Sequence, residues 1–233
     1  MAEWPGDYRR RPPISSPTYA VRAPLAAWLR EEAAARRPHP YRVLDVGCGV
    51  KPYYPFFEPY ASEYVGVDVV ENPAADLQGA VESLPVEDGS FDLVLCIQVL
   101  EHADDPARAV RELRRVVAPG GAVLASTHGV QVYHPAPVDL WRWTHAGLDR
   151  LFRENADWSS LSVRPSSGTT ACLGMLVAIY ADLLARRAHV PALGRALAAG
   201  LNRGAAALDR RSSDLREPRS GSLIANFHVV AEP

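Results

Sequence analysis

Lysine is nearly missing from this chain: Lys51 is the only one, and arginine carries the rest of the positive charge, a bias of genome coding rather than of function. A basic excess is missing too. Lys+Arg 25 against Asp+Glu 27 leaves a net charge of −2, which argues against a broad nucleic-acid footprint. There are only three cysteines, Cys48, Cys96 and Cys172, with no metal-ligand spacing among them. Their odd number and their glycine or apolar surroundings predict reduced thiols, a cytoplasmic location and no metal site. No stretch reaches the ~20 apolar residues of a membrane span. The segment Met1 to Asp7 has no apolar core, so no signal peptide is expected.

What is present centres on Val43 to Gly49, Val-Leu-Asp-Val-Gly-Cys-Gly. A β-branched and apolar run ending in two glycines predicts a strand buried on both faces of a parallel sheet, followed by a tight ligand loop. Asp45 sits where a carboxylate would point into the crevice at the carboxyl edge of that sheet, and Gly47 and Gly49 let the backbone approach a ligand closely. A second strand, Tyr64 to Asp68, ends in another acid about twenty residues on, the spacing of a ribose-binding carboxylate. A dinucleotide would require a third glycine and free N–H groups for its pyrophosphate. Pro52 and Pro55 remove two such groups, so an adenosyl cofactor without phosphates fits better.

The stretch resembles motif I of the class I S-adenosylmethionine-dependent methyltransferases, with Asp45, Gly47, Cys48 and Gly49 as the cofactor loop and Asp68 as the ribose acid. Leu84-Pro85, Ser90-Phe91-Asp92, Val99-Leu100-Glu101-His102 and Pro119-Gly120-Gly121 extend the likeness across residues 41 to 127, to the small-molecule, type 11-like branch. The resemblance implies a Rossmann-like α/β fold, a seven-stranded and mostly parallel sheet flanked by helices. S-adenosylmethionine is then the cofactor and S-adenosylhomocysteine the product. It further implies cofactor contacts from Val69, Val81, Glu82, Gln98 and His102. Ala80 stands where the family usually places an adenine-binding acid, leaving Val81 its backbone N–H and Asp76 or Gln78 as substitutes. The Asn/Asp-Pro-Pro-aromatic run of base N-methylating relatives is absent; Cys96 to His102 stands in its place.

Residues 1 to 17 carry four prolines around Arg9, Arg10 and Arg11, and are expected to form a mobile tail or a lid. Residues 18 to 233 are expected to form one methyltransferase domain. Pro24 suits the first turn of a helix presenting Leu25, Trp28 and Leu29 on one face. Asp105-Pro106 starts another, which stops at Pro119, and Gly121 to Thr127 is the next strand. Strands are predicted over Leu161 to Arg164 and Leu223 to Val230, separated by a helical insertion at about 170 to 212. The insertion reads as acceptor cover, dimer contact or a membrane-surface dock, since its uncharged run from Ala171 to Ala181 is too short to span a bilayer. Monomer and homodimer stay open, with no stable membrane insertion.

The acceptor is expected against Thr127 to Thr144, where polar side chains alternate with prolines and aromatics beyond the fifth strand. This run resembles methyltransferases of sugar and surface-polysaccharide pathways. Methyl transfer to a hydroxyl requires alignment and proton removal, for which histidine is suited near neutral pH. His134 and His128 are the candidate bases, with His102 third. Tyr133, Asp139, Trp141 and Arg142 are candidate acceptor contacts; Asp139 and Arg142, three apart, also suit a simple ion pair. The reading is O-methylation of a sugar or glycan-pathway metabolite. The alternatives are C- or N-methylation of another small molecule such as a quinone precursor, and a non-catalytic S-adenosylmethionine-binding protein.

Overall fold

Tyr41–Val46 (β1) is the strand around which the sheet is laid, because its alternate side chains meet apolar partners on both faces. The computed structural model describes residues 4–135, 137–211 and 217–233. Ala61–Asp68 (β2) pairs with one edge of β1 and Phe91–Ile97 (β4) with the other, both parallel. Leu77–Gln78 (β3), Val117–His128 (β5), Ser160–Pro165 (β6) and Asn226–Glu232 (β7) complete the order β3-β2-β1-β4-β5-β7-β6. β7 runs antiparallel to both β5 and β6. The chain therefore reverses its direction of winding between β1 and β4, and such a switch opens a crevice at the carboxyl ends of those strands.

Helices cover both faces. Tyr19–Ala35 (α2) buries Leu25, Leu29 and Ala33 against Val43, Leu93, Leu95 and Leu124. Pro106–Val116 (α4) buries Ala109, Val110, Leu113 and Val116 against the side that holds Leu44, Val94 and Val123. Each fully buried Leu contributes on the order of 1.5 to 3 kcal/mol. The Asp105 carboxylate accepts from the Arg108 N–H (3.0 Å), and the Thr144 hydroxyl accepts from the Gly147 N–H (3.0 Å) at the start of His145–Asn155 (α5), so both expected caps are present. Tyr54–Phe57 (α3) is the short aromatic helix beneath the glycine loop.

Four boundaries differ from expectation, the first being β2, which begins at Ala61, paired with Tyr41, instead of Tyr64. α2 begins at Tyr19, so Pro24 lies inside it; Ala20 and Val21 of the added turn pack on Ala171, Met175 and Ala205, a tertiary contact that outweighs the proline. β5 begins at Val117 instead of Gly121, because Val117 pairs with Phe91 and the register then shifts through Pro119-Gly120-Gly121. The last strand begins at Asn226 and is buried on nearly every residue, since both of its faces are covered.

The insertion is a close-packed pair, Thr169–Arg187 (α6) and Pro191–Arg211 (α7), and residue 212 of the expected range lies outside the described residues. A Cβ on Gly194 would come 2.9 Å from that of Ala185, so only glycine allows this approach. The Asp209 carboxylate accepts from the Thr170 (3.2 Å) and Ala171 (3.1 Å) N–H groups and caps α6. α6 is by length and composition one helix apolar enough to cross a membrane, running well past the uncharged run expected from sequence; a third of its most apolar window is buried against protein.

Of the amino-terminal segment, residues 1 to 3 lie outside the described residues. One helical turn, Asp7–Arg10 (α1), forms between prolines where no regular element was expected. The Trp4 indole N–H donates to the Lys51 carbonyl (2.8 Å), and the buried Arg10 guanidinium donates to the Pro52 carbonyl (2.6 Å). At the far end the Asn202 amide donates to the Ile14 (2.7 Å) and Ser16 (2.9 Å) carbonyls. The segment thus runs from the glycine loop to α7.

Candidate active site

A cavity of about 430 Å³ opens at the carboxyl ends of β1, β2 and β4. Its walls bring together Gly47, Gly49, Asp68 and Val69 on one side and Gln98, Glu101, His102, His128 and His134 on the other. Arg9, Thr18 and Arg22 close it from the amino-terminal segment and α2.

The loop after β1 has φ of +66° at Gly47 and +52° at Gly49, a left-handed backbone suited to glycine. A Cβ at Gly47 would strike the Val99 side chain at 2.4 Å, whereas one at Gly49 would meet nothing within 4 Å. Gly49 therefore faces open space, where only the missing side chain leaves room for a ligand. Asp68 Oδ2 accepts from the Gly49 N–H (3.1 Å) and the Asn72 amide (3.0 Å), while Oδ1 holds only a long contact from the Val70 N–H (3.4 Å). A carboxylate oxygen with unused acceptor capacity on a cavity wall fits a ribose hydroxyl. The donor set, an acid and a glycine loop interrupted by Pro52 and Pro55, fits an adenosyl group without phosphates.

Asp45 is not open to the crevice as its position suggested. It is 5 % exposed and accepts from the Tyr64 hydroxyl (2.7 Å) of the neighbouring strand. Burial pushes its pKa up to about 7 against the lowering effect of that bond. Cys48 is buried as well, its thiol pushed up to about 12. Val81 belongs to the core, and the Glu82 carboxylate accepts from the Asp105 N–H (3.3 Å). Asp76, considered as an adenine contact, instead pairs with Lys51 and accepts from the Gly66 N–H (2.6 Å). The Gln78 amide donates to the Val69 carbonyl (3.3 Å).

On the opposite wall Gln98 has φ of +60° and donates its amide to Ser126 Oγ (3.1 Å) and Asn226 Oδ1 (2.9 Å), both buried. His102 donates Nδ1–H to the Val138 carbonyl, which leaves Nε2 as its acceptor nitrogen. The His102 and His134 rings lie 5.9 Å apart. Glu101 is fully buried; its Oε2 accepts from the Thr127 hydroxyl (2.8 Å) and its Oε1 lies 3.4 Å from His128 Nε2. Burial pushes Glu101 up to about 7 and His128 down to about 4.

The expected acceptor loop is tied mainly to itself. Arg142 pairs with Asp139 and donates to the Val132 carbonyl (3.0 Å), and Asp139 accepts from the His134 N–H (2.8 Å). The Arg142 guanidinium holds the Asp139 carboxyl well below its ordinary range. The Trp141 indole donates to the Ala103 carbonyl (2.7 Å), and its ring stacks on Trp143 at 5.6 Å. Tyr133 is 76 % exposed.

Residues 44–125 match the methyltransferase domain family. Together with the strand order and the cavity at the switch point, this decides the class. Residues 44–125 are methyltransferase-domain sequence on a sheet of the class I fold. Relatives of that domain include the uncharacterized methyltransferase YcgJ of Bacillus subtilis (strain 168), 36 % identical over 104 residues, 38 % of this chain and 41 % of YcgJ. The ubiquinone biosynthesis O-methyltransferase of Bordetella avium (strain 197N) is 32 % identical over 126 residues, 48 % of this chain and 52 % of the relative. The chain thus spans about half the length of the curated relatives it matches. The fold of this chain also superposes on the crystal structure of YcgJ with a TM-score of 0.51 at 21 % identity, covering 88 % of this chain and 97 % of that one. The [4+2]-cyclase SpnF superposes with a TM-score of 0.53 at 21 % identity, over 89 % and 81 %. S-adenosylmethionine is the cofactor that a domain of this family takes.

Sequence reasoning missed Glu101, which it read only as part of a motif, and the arginines at the cavity rim. A lone carboxylate closing a buried strand was the available signal for the first. Arg9 and Arg22 had none, in a chain where arginine is everywhere. Among the described residues no cluster of three His, Cys, Asp or Glu side chains could hold a metal ion.

Proposed function

We propose that this chain transfers a methyl group to a hydroxyl of a small, glycosidic acceptor in the cytoplasm. The observation that carries the reading is one cavity with a ribose-type acid and an open glycine loop on one wall and three histidines on the other. When bound, S-adenosylmethionine supplies a sulfonium methyl group open to in-line displacement by the acceptor oxygen. Asp68 Oδ1 would hold the ribose, the backbone of Gly47 and Gly49 would lie along the ligand, and Val69 would flank the adenine. Gln98, fixed from β5 and β7, would border the methionine portion.

His128 is the preferred base. Burial keeps its imidazole neutral at physiological pH, its Nδ1 has no hydrogen-bond partner in the protein, and the Glu101 carboxyl 3.4 Å from Nε2 would stabilise the ring once it has taken the acceptor's proton. His134 is the second candidate and His102 the third. Asp139, Arg142 and Trp141 are assigned to shaping the loop, in keeping with their hydrogen bonds, while Tyr133, exposed and not among the cavity-lining residues, could meet only a part of the acceptor that projects from the cavity. A hydroxyl acceptor agrees with the O-methyltransferase name of the Bordetella relative, and that name makes quinol-type acceptors the nearest rivals.

A second reading, a binder or an enzyme of different chemistry on the same fold, is favoured by Ala80 and by the likeness to a cyclase. Calorimetry with S-adenosylhomocysteine followed by a radiolabelled methyl screen over nucleotide sugars, glycans, quinols and amines separates the two. Binding with transfer to a sugar hydroxyl is the expected result. Binding with no transfer to any class would leave the second reading standing.

A further inference from the structure

The α6–α7 pair turns a second apolar face outward. On α6, Leu173, Val177, Tyr180 and Leu184 recur at helical spacing and are 46, 55, 58 and 61 % exposed. On α7, Leu193, Leu197 and Leu208 share one face at 56, 48 and 51 %. The inward positions hold small residues such as Gly174, Ala178, Ala198 and Ala205, buried between the helices and against α2. A helix pair that packs through small residues and exposes its large ones marks an interaction surface.

Its charge identifies the partner. Residues 169 to 211 contain six arginines and two aspartates, a net of +4 in a chain whose net is −2, so the remainder carries −6. Both aspartates are withdrawn: Asp209 is buried on the α6 cap and Asp182 is paired with Arg186. By helical spacing Arg187 and Arg211 fall beside the exposed leucine stripes, and a second copy on this face would bring them near like charges with both aspartates already engaged. An anionic lipid surface satisfies both the leucines and the arginines.

We propose that the outer face of α6 and α7 docks flat on an anionic bilayer surface. The inner face keeps its packing: Val21, which lines the cavity, lies in one buried cluster with Ala171, Met175 and Ala205. Docking so placed leaves the buried contact between the helix pair and the cavity-lining Val21 intact. This surface does not depend on methyl transfer, and its test needs no cofactor.

The full chain is floated with vesicles of phosphatidylglycerol and phosphatidylcholine, and with vesicles of phosphatidylcholine alone. Co-flotation with the first, little with the second, and progressive release as salt rises are expected. Leu184→Glu with Leu193→Glu should weaken partitioning about tenfold or more while leaving the thermal midpoint near that of the parent. If the pair does not fold, Tyr180→Asp alone carries the same expectation. Failure to float with anionic vesicles, or flotation untouched by these substitutions, overturns the proposal. A dimer in sedimentation that the same substitutions dissociate, without vesicle binding, assigns the face to a second copy and overturns it equally.

Discussion

Glu101 Oε1 stands 3.4 Å from His128 Nε2, both side chains buried at the cavity wall, Glu101 just past β4 and His128 closing β5. The carboxyl is raised to about 7 and the imidazole lowered to about 4, each by burial, so the ring is neutral over the physiological range. Ionisation of Glu101 near pH 7 strengthens its attraction for an imidazolium formed during proton transfer.

His128→Ala is therefore expected to lower kcat by roughly 10²-fold or more with S-adenosylhomocysteine affinity unchanged. Glu101→Gln should abolish the limb of the kcat–pH profile near neutrality and leave a flatter curve. If instead His134→Ala produces the larger loss and His128→Ala little, the base belongs on the exposed loop.

Asp68→Ala should weaken S-adenosylhomocysteine binding by about 1 to 3 kcal/mol in calorimetry. Unaltered affinity would remove this carboxylate from the cofactor site.

The two loop glycines separate fold from binding. Both substitutions to alanine carry the left-handed backbone cost of about 1 to 2 kcal/mol. Gly47→Ala adds a collision with Val99 and should lower the thermal midpoint further, whereas Gly49→Ala places its methyl in open space and should chiefly reduce ligand affinity. Equal effects on both measurements for both variants would contradict this division.

Asp45 sets a pH dependence of stability. Its folded pKa of about 7 lies above the ordinary carboxyl value of 3.8, so the folded state holds a proton that the unfolded state releases. Its contribution is fully present below about pH 4 and is lost as pH rises towards 7. Thermal melts of Asp45→Asn should decline less than the parent across that window; parallel profiles would show that the carboxyl is ionised in the folded state.

The sheet and the glycine-loop wall of the cavity were legible because they depend on short-range signals: a buried run ending in glycines, an acid at a fixed spacing, and caps at Asp105 and Thr144. The loop after β5 was less so. Asp139 and Arg142 are three apart and close on each other, and Trp141 reaches back to Ala103, a partner that no local pattern indicates. Asp45 was misjudged because its orientation depends on Tyr64 of the adjacent strand. The start of α2 was hidden for a similar reason: the residues that hold its first turn lie some 150 positions further along, on α6 and α7.

Asn202 joins two parts of the chain far apart in sequence. Its amide grips the carbonyls of Ile14 and Ser16, two residues short of Thr18 on the cavity wall. Together with the apolar contact of Ala20 and Val21 with Ala205, it fixes the stretch leading to the cavity wall against α7. The entrance to the interior is thus built partly from a residue that the chain supplies almost two hundred positions later.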